Sequence, residues 1–263
     1  MRRVIDPLAI EDYMTWGYVP DHCAILKGVE KLPAGHFLLL EHGRDPGPPR
    51  QWWDVSFASR EKGRDEDLSA QLLHLMREGV SSRMVADVPL GAFLSGGIDS
   101  SLITALMQSV SSAPVRSFTI GFEQQEFNEA PHAAAVAAHL GTDHTELTVT
   151  DADARAVIPL LPDMYDEPFA DSSQIPTHLV CKAARAHVTV ALSGDGGDEL
   201  FGGYNRYLWG PRLWSRIALM PPVVRRALGG TIEHAPQRLW DFAGALAGVN
   251  RPAEKALKLG RRL

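Results

Sequence analysis

Cysteine is scarce in this 263-residue sequence: there are two, Cys23 and Cys181, far apart and in unlike contexts. Neither a disulfide framework nor a zinc cluster follows from such usage, and the cytosol is the expected compartment. No run of about twenty apolar residues occurs, so no membrane-spanning helix is expected. An apolar signal core is missing too, since Arg2 and Arg3 are followed by Asp6, Glu11 and Asp12. Excess positive charge is absent; a net charge of −6 gives no general attraction to nucleic acid. The basic clusters Arg225-Arg226 and Lys258 to Arg262 read as solvated helix faces. The ten histidines include no His-Glu-x-x-His or comparable ligand spacing, so His132, His139 and His144 read as surface or packing residues. Internal repeats, heptads and low-complexity tracts are likewise missing.

What is present is an alternating pattern. A composition of 45% hydrophobic and 22% charged residues suits one large α/β core with a smaller appendage. Residues 1–54 hold a short helical start, Gly/Pro-rich turns and an apolar strand Phe37 to Leu40. A helix with apolar Leu68, Leu72, Leu73, Leu75, Met76 and Val80 follows, spaced by threes and fours. Beyond it, strands at Gly91 to Leu94, Val115 to Phe122, Thr145 to Val149 and Val188 to Leu192 alternate with helical segments. The fold class expected is α/β, a parallel sheet with helices on both faces. After Tyr204 the chain turns helical, with Leu208, Trp209, Leu213, Trp214 and Ile217 as a core-facing stripe, then Val223 to Leu228 and Leu239 to Leu246.

Between the first of those strands and its helix stands Val88-Pro89-Leu90-Gly91-Ala92-Phe93-Leu94-Ser95-Gly96-Gly97-Ile98-Asp99-Ser100-Ser101. A glycine- and serine-rich turn before a helix offers backbone N–H groups, hydroxyls and a positive helix end to a phosphate chain. No lysine follows the glycines, which excludes the Gly-Lys-Ser/Thr loop of kinase-type nucleotide binders. The loop suits the pyrophosphate released when a nucleotide is cleaved between its first and second phosphates. A second turn, Ser193-Gly194-Asp195-Gly196-Gly197-Asp198-Glu199-Leu200-Phe201-Gly202-Gly203-Tyr204, falls after the last strand. Ligands of parallel sheets sit at the C-terminal strand ends, so both turns are expected to face one pocket.

Ser95 to Ser100 resembles the PP-loop of the ATP pyrophosphatases, and the Val88–Ser101 stretch is similar to that loop in glutamine-dependent asparagine synthetases. The Ser193–Tyr204 turn resembles the second signature of that family, and Ser117 to Phe122 and Asn128 to His144 also read as family sequence. Gly17-Tyr18-Val19-Pro20 and Lys27 to His36 look like the end of the glutaminase domain that precedes the synthetase domain. The resemblance implies an adenine nucleotide α-hydrolase-like fold, with 1–54 the remnant of an Ntn-type glutaminase domain and 55–263 a C-terminally truncated synthetase domain ending in helices. It implies ATP and Mg²⁺, a small amino-acid substrate, and ammonia from glutamine. The chemistry implied is amide formation on a carboxylate, aspartate to asparagine, through an acyl-adenylate.

By the same resemblance Leu94, Ile120, Ser193 and Gly194 contact the nucleotide. Ser95, Gly96, Gly97 and Ser100 hold pyrophosphate, Asp99 and Asp198 bind the metal, and Asp195 is the general base for ammonia, where some members have glutamate. Read on residue chemistry alone, Asp99 also suits a helix N-cap, Asp195 and Asp198 suit turn formers, and Asp166, Glu167, Asp171 and Ser172 suit either an amino-acid pocket or a solvated loop. Two departures stand out. Family glutaminases use a cysteine directly after the initiator methionine, and here that position is Arg2, so the chain as given is not expected to hydrolyse glutamine and reads as a fragment or split gene. The later catalytic lysine of the family has no counterpart before Leu263; Lys255 and Lys258 do not match its context. A related amidotransferase, a β-lactam or peptide cyclase, and a non-catalytic ATP-binding partner subunit share the same motifs; a homodimer or a partner subunit stays open.

Overall fold

The structure, a computed structural model, describes residues 3–58, 60–122, 128–236 and 238–240. The chain divides into two units, Met1–Asp195 and Gly196–Leu263.

In the first unit, α1 (Pro7–Trp16) starts where Asp6 accepts from the Leu8 N–H and Pro7 presets the first turn; it stops at Gly17, whose φ of 82° closes the helix. Strands β1 (His36–Phe37) and β2 (Arg50–Gln51) pair antiparallel, shorter than the strand expected over Phe37 to Leu40. Extending the ladder would bring Leu38 to Pro49, which has no N–H to give, and Leu38 to Leu40 are left exposed. Helix α2 (Asp65–Arg83) carries three acidic residues in its first turn, favourable at that end of the dipole. Its apolar stripe packs only at the C-terminal half, through Met76 and Val80, while Leu72, Leu73 and Leu75 stay exposed.

The core of this unit is a four-stranded parallel sheet: β3 (Leu90–Phe93), β4 (Arg116–Phe122), β5 (Asp143–Val149) and β6 (Val190–Leu192), in the order β5-β4-β3-β6. The crossovers contain α3 (Ile98–Val110), α4 (Ala130–Leu140), and then α5 (Asp151–Val157), α6 (Leu161–Met164) and α7 (Gln174–Ala184). Side-chain alternation splits the packing between the two faces. Ala92 meets Val80, Leu106 and Met107 of α2 and α3, and Leu94 meets Ala133 and Ala137 of α4. On the opposite face Phe118 packs with Phe93, Ala184 and Val188, and Val149 with Val157 and Leu179. Gly91 is required there, because an added Cβ would lie 2.8 Å from the Phe118 ring. The expectation of helices on both faces is met.

One buried polar cluster sits in the sheet. Ser117, fully buried, shares hydrogen bonds with Thr142 Oγ1 and His144 Nδ1, each at 2.8 Å, and the buried Nε2 of His144 has no partner. Desolvation lowers the His144 pKa, a charge on Glu146 opposing it only partly. A depressed histidine pKa means the unfolded chain binds the proton first as pH falls. Stability from this group is therefore complete above the unfolded value of 6.5 and declines as pH drops toward the lower folded value. Urea midpoints from pH 7.5 to 5 are expected to fall less steeply in His144→Gln than in the parent; parallel slopes would contradict this.

The second unit holds α8 (Gly197–Phe201), α9 (Asn205–Ile217) and α10 (Pro222–His234). Of the stripe expected to face a core, only Ile217 is buried; Leu208, Trp209, Leu213 and Trp214 are exposed. Guanidinium groups cover two of the indoles instead, Arg212 at 5.8 Å from the Trp209 ring centre and Arg225 at 5.6 Å from that of Trp214. The expected helix Leu239 to Leu246 and the lysines Lys255 and Lys258 fall almost wholly outside the described residues.

Candidate nucleotide site

The strand order reverses at β3: β4 and β5 lie to one side, and the chain then crosses back to place β6 on the other. Such a switch point opens a crevice at the C-terminal strand ends. Ser95 follows β3 and Ser193 follows β6, and the two strands are direct neighbours with Ala92 opposite Leu192. Sheet topology alone therefore brings the two turns together.

Glycine makes the junction close. A Cβ on Gly194 would lie 2.5 Å from the Ser100 backbone N and 2.8 Å from the Asp99 carbonyl carbon, so the 193–194 backbone rests directly on the first turn of α3. Gly96 has a left-handed φ of 82°, and its Cβ would lie 2.7 Å from the Ala133 N and 2.8 Å from His132 Cβ, at the start of α4. The loop after β3 is thus held between α4 and the 193–194 turn. Gly96→Ala is expected to destabilise the fold by at least about 1–2 kcal/mol from the left-handed backbone alone, with the steric overlap added. Chemical denaturation checks this; an unchanged midpoint would contradict it.

Inside the loop the serines brace one another. Ser100 Oγ accepts from the Ser95 N–H at 3.2 Å, donates to the Gly97 carbonyl at 3.3 Å and lies 2.9 Å from Ser95 Oγ, which accepts from the Gly97 N–H at 3.3 Å. Ser100 is buried, so its hydroxyl shapes the loop from within, whereas Ser95 is exposed at its rim. Gly97 occupies the N-cap of the 13-residue α3 and has no side chain to offer the first-turn N–H groups, which leaves them to an anion. Asp99 stands within that first turn, not at the cap, which removes the N-cap reading of this residue.

The remaining expected residues are placed as follows. Leu94 is buried against α4, so only its main chain can reach a ligand, and its N–H already donates to the Phe118 carbonyl at 2.9 Å. Ile120, near the C-terminal end of β4, is half-buried against Val149, Val157 and Leu179. Ser193 Oγ donates to Asp195 Oδ2 at 3.0 Å and accepts from the Asp195 N–H at 3.3 Å, which fixes an exposed carboxylate beside Gly194. Asp198 belongs to the second unit, in the first turn of α8, where its carbonyl accepts from the Gly203 N–H at 3.0 Å. The donors offered by Asp99 and the serines are hard oxygens, the set that suits Mg²⁺.

Two features were not legible as site elements. His132 and Ala133 close on Gly96, and the only sequence signal was the helix start at Asn128 to Pro131, where Asn128 Oδ1 accepts from the Ala130 N–H at 3.1 Å. Glu167 is neither solvated nor free: it pairs with Lys31 Nζ at 2.7 Å and accepts from the Ile25 N–H at 2.7 Å. With the Ala170 N–H donating to the Gly17 carbonyl at 2.8 Å, this ties the N-terminal segment to the acidic loop before α7.

The family model described as asparagine synthase matches residues 71–259. The chain is 35% identical over 211 residues to "Asparagine synthetase [glutamine-hydrolyzing] 1" of Bacillus subtilis (strain 168), covering 77% of this chain and 32% of that protein. It is 34% identical over 236 residues to "Putative asparagine synthetase [glutamine-hydrolyzing]" of Mycobacterium tuberculosis (strain ATCC 25618 / H37Rv), covering 89% of this chain and 36% of that protein. The chain spans about a third of the length of these relatives. Among solved structures it is similar, at 14% identity and a TM-score of 0.35, to an NH3-dependent NAD synthetase from Campylobacter jejuni, covering 53% of this chain and 60% of that one.

Proposed function

Because the chain belongs to the asparagine synthase family, we propose that it carries the ATP-consuming half of an amide-forming ligase, with aspartate as the acid and ammonia released from glutamine as the nitrogen source. The observation that supports this most is the contact of Gly194 with the Asp99–Ser100 backbone, since it joins two remote signatures in one crevice.

In this reading a carboxylate oxygen of aspartate attacks the α-phosphorus of ATP, giving an acyl-adenylate and pyrophosphate. The N–H groups of Gly96 and Gly97 and the Ser95 hydroxyl hold the pyrophosphate oxygens, with Ser100 keeping the loop in shape. Asp99 would be a ligand for Mg²⁺, which would neutralise charge on the departing pyrophosphate, and Asp198 is carried as a metal ligand on the family resemblance of its turn. Leu94, Ile120, Ser193 and Gly194 line the nucleoside end, through main chain and apolar packing. Asp195 removes the proton as ammonia attacks the acyl carbon and AMP leaves; its orientation by Ser193 supports that role. Residues 1–54 are read as the end of a glutaminase domain and 55–263 as the synthetase domain, with Lys31 and Glu167 linking the two.

Pyrophosphate release from ATP tests the reading. Release that needs both Mg²⁺ and aspartate, with asparagine formed on adding ammonium, is the expected result. Release that is indifferent to aspartate would overturn the substrate assignment, and ATP binding with no release would make this chain a nucleotide-binding partner subunit.

A further inference from the structure

Among the described residues, one group of three metal-ligating side chains converges outside the nucleotide crevice: Asp12 on α1, and His22 and Cys23 in the turn that follows it. Their ligand atoms all lie within 4.8 Å of one another. Cys23 Sγ is 3.7 Å from Asp12 Oδ2, and His22 Nε2 is 3.5 Å from the same oxygen. Around tetrahedral zinc, with Zn–S about 2.3 Å and Zn–N and Zn–O about 2.0 Å, the S···O and N···O edges come to about 3.5 and 3.3 Å. Both observed separations exceed those edges by only a few tenths of an ångström.

We propose that Asp12, His22 and Cys23 form a zinc site, a function separate from nucleotide chemistry. One thiolate, one imidazole and one carboxylate balance the charge of Zn²⁺ and leave a fourth position for water. A soft sulfur beside a ring nitrogen selects zinc over Mg²⁺ or Ca²⁺. Spacing in the sequence conceals the set, because Asp12 is ten and eleven residues from its partners and only the α1 reversal at Gly17 brings it back.

The frame around the site is fixed before any metal arrives. The Cys23 N–H donates to the Pro20 carbonyl at 3.1 Å, the Asp6 N–H to the Ile25 carbonyl at 2.9 Å and the Lys27 N–H to the Val4 carbonyl at 2.9 Å, so the turn is anchored at both ends of its approach to α1. The nearby Lys31 ammonium is engaged by Glu167 at 2.7 Å and the Val19 carbonyl at 2.6 Å, and does not compete for Asp12. Desolvation and the Asp12 carboxylate hold the Cys23 thiol above the ordinary cysteine range. On binding, the Cys23 S–H bond breaks and an S–Zn bond forms; the proton goes to solvent and the three protein ligands displace all but one of the waters of the hydrated ion, with no change of oxidation state. The ion would staple α1 to the turn that leads to Ile25, whose N–H meets Glu167.

Titration of the purified full chain with Co²⁺ as the spectroscopic substitute tests the site. A thiolate-to-cobalt charge-transfer band saturating at one equivalent, bleached by Zn²⁺, is expected, and it is kept in Cys181→Ser. Cys23→Ser should abolish the band and weaken Zn²⁺ binding by at least about 100-fold, and His22→Ala, at an exposed position that does not threaten folding, by about 10–100-fold. No band in the parent chain, a band that survives Cys23→Ser, or Zn²⁺ affinity unchanged in His22→Ala would overturn the proposal. None of these outcomes depends on ATP, so they leave the nucleotide reading untouched.

Discussion

Gly194→Ala is expected to weaken Mg·ATP binding by about 10–100-fold while the sheet stays folded, because forcing a methyl into a closed contact costs about 1–3 kcal/mol, which restoring the binding geometry would have to supply. The new methyl would sit 2.5, 2.8 and 2.9 Å from Ser100 N, the Asp99 carbonyl carbon and Ser100 Cα, all backbone atoms. No rotamer change relieves such an overlap, so either the 193–195 turn or the start of α3 must move. Gly141→Ala is the control: it closes α4 at a φ of 70° with nothing within 4 Å of the added Cβ. That variant should lose about 1–2 kcal/mol of stability to the left-handed backbone and keep its nucleotide affinity. Calorimetric titration of both variants reads the difference; equal affinities would remove the contact between the two turns from the account of binding.

Asp99→Ala should weaken Mg·ATP binding at least about 10–100-fold, the loss seen even for partners one shell out from a metal, while Asp195→Ala leaves binding nearly unchanged. The two carboxylates sit in different places. Asp99 is half-buried in the first turn of α3, directly behind the Gly96-Gly97 loop, and no side-chain cap is lost when it is replaced. Its helix-dipole contribution is only about 0.3–1 kcal/mol, too small to explain a large change in affinity by unfolding. Asp195 is exposed, held by Ser193, and should act at the later step; its loss should lower amide formation by about 10²–10⁴-fold, as for a general base. Paired binding and turnover measurements on the two variants check this. Equal effects on binding would contradict the division of roles.

Strand and helix periods, with the two glycine-rich turns, were enough to expect a parallel sheet and to put Ser95 and Ser193 at the same strand ends. The sheet order, with β6 beside β3, explains why those turns meet. Apolar periodicity misled where a helix face has no partner along its whole length, as at Leu72, Leu73 and Leu75 of α2 and at the α9 tryptophans, since spacing reports a face but not what covers it. Ser100 reads in the sequence as a phosphate donor, yet its hydroxyl points into the loop, a choice made by three-dimensional closure alone. Glu167 could not be assigned because its partners, Lys31 and the Ile25 N–H, lie more than a hundred residues away along the chain. Asp12 was hidden from any ligand pattern because a helix end and its reversal at Gly17 lie between it and His22 and Cys23.

Calorimetric titration of ATP into the chain, with and without Mg²⁺ and then against pyrophosphate, tests the central claim most directly: that the Ser95–Ser100 loop and the Ser193–Asp195 turn form one nucleotide site. One equivalent of ATP bound only with Mg²⁺, displaced by pyrophosphate and lost in Gly194→Ala, is the result expected. ATP that binds without Mg²⁺, resists pyrophosphate and ignores the Gly194 substitution would contradict it.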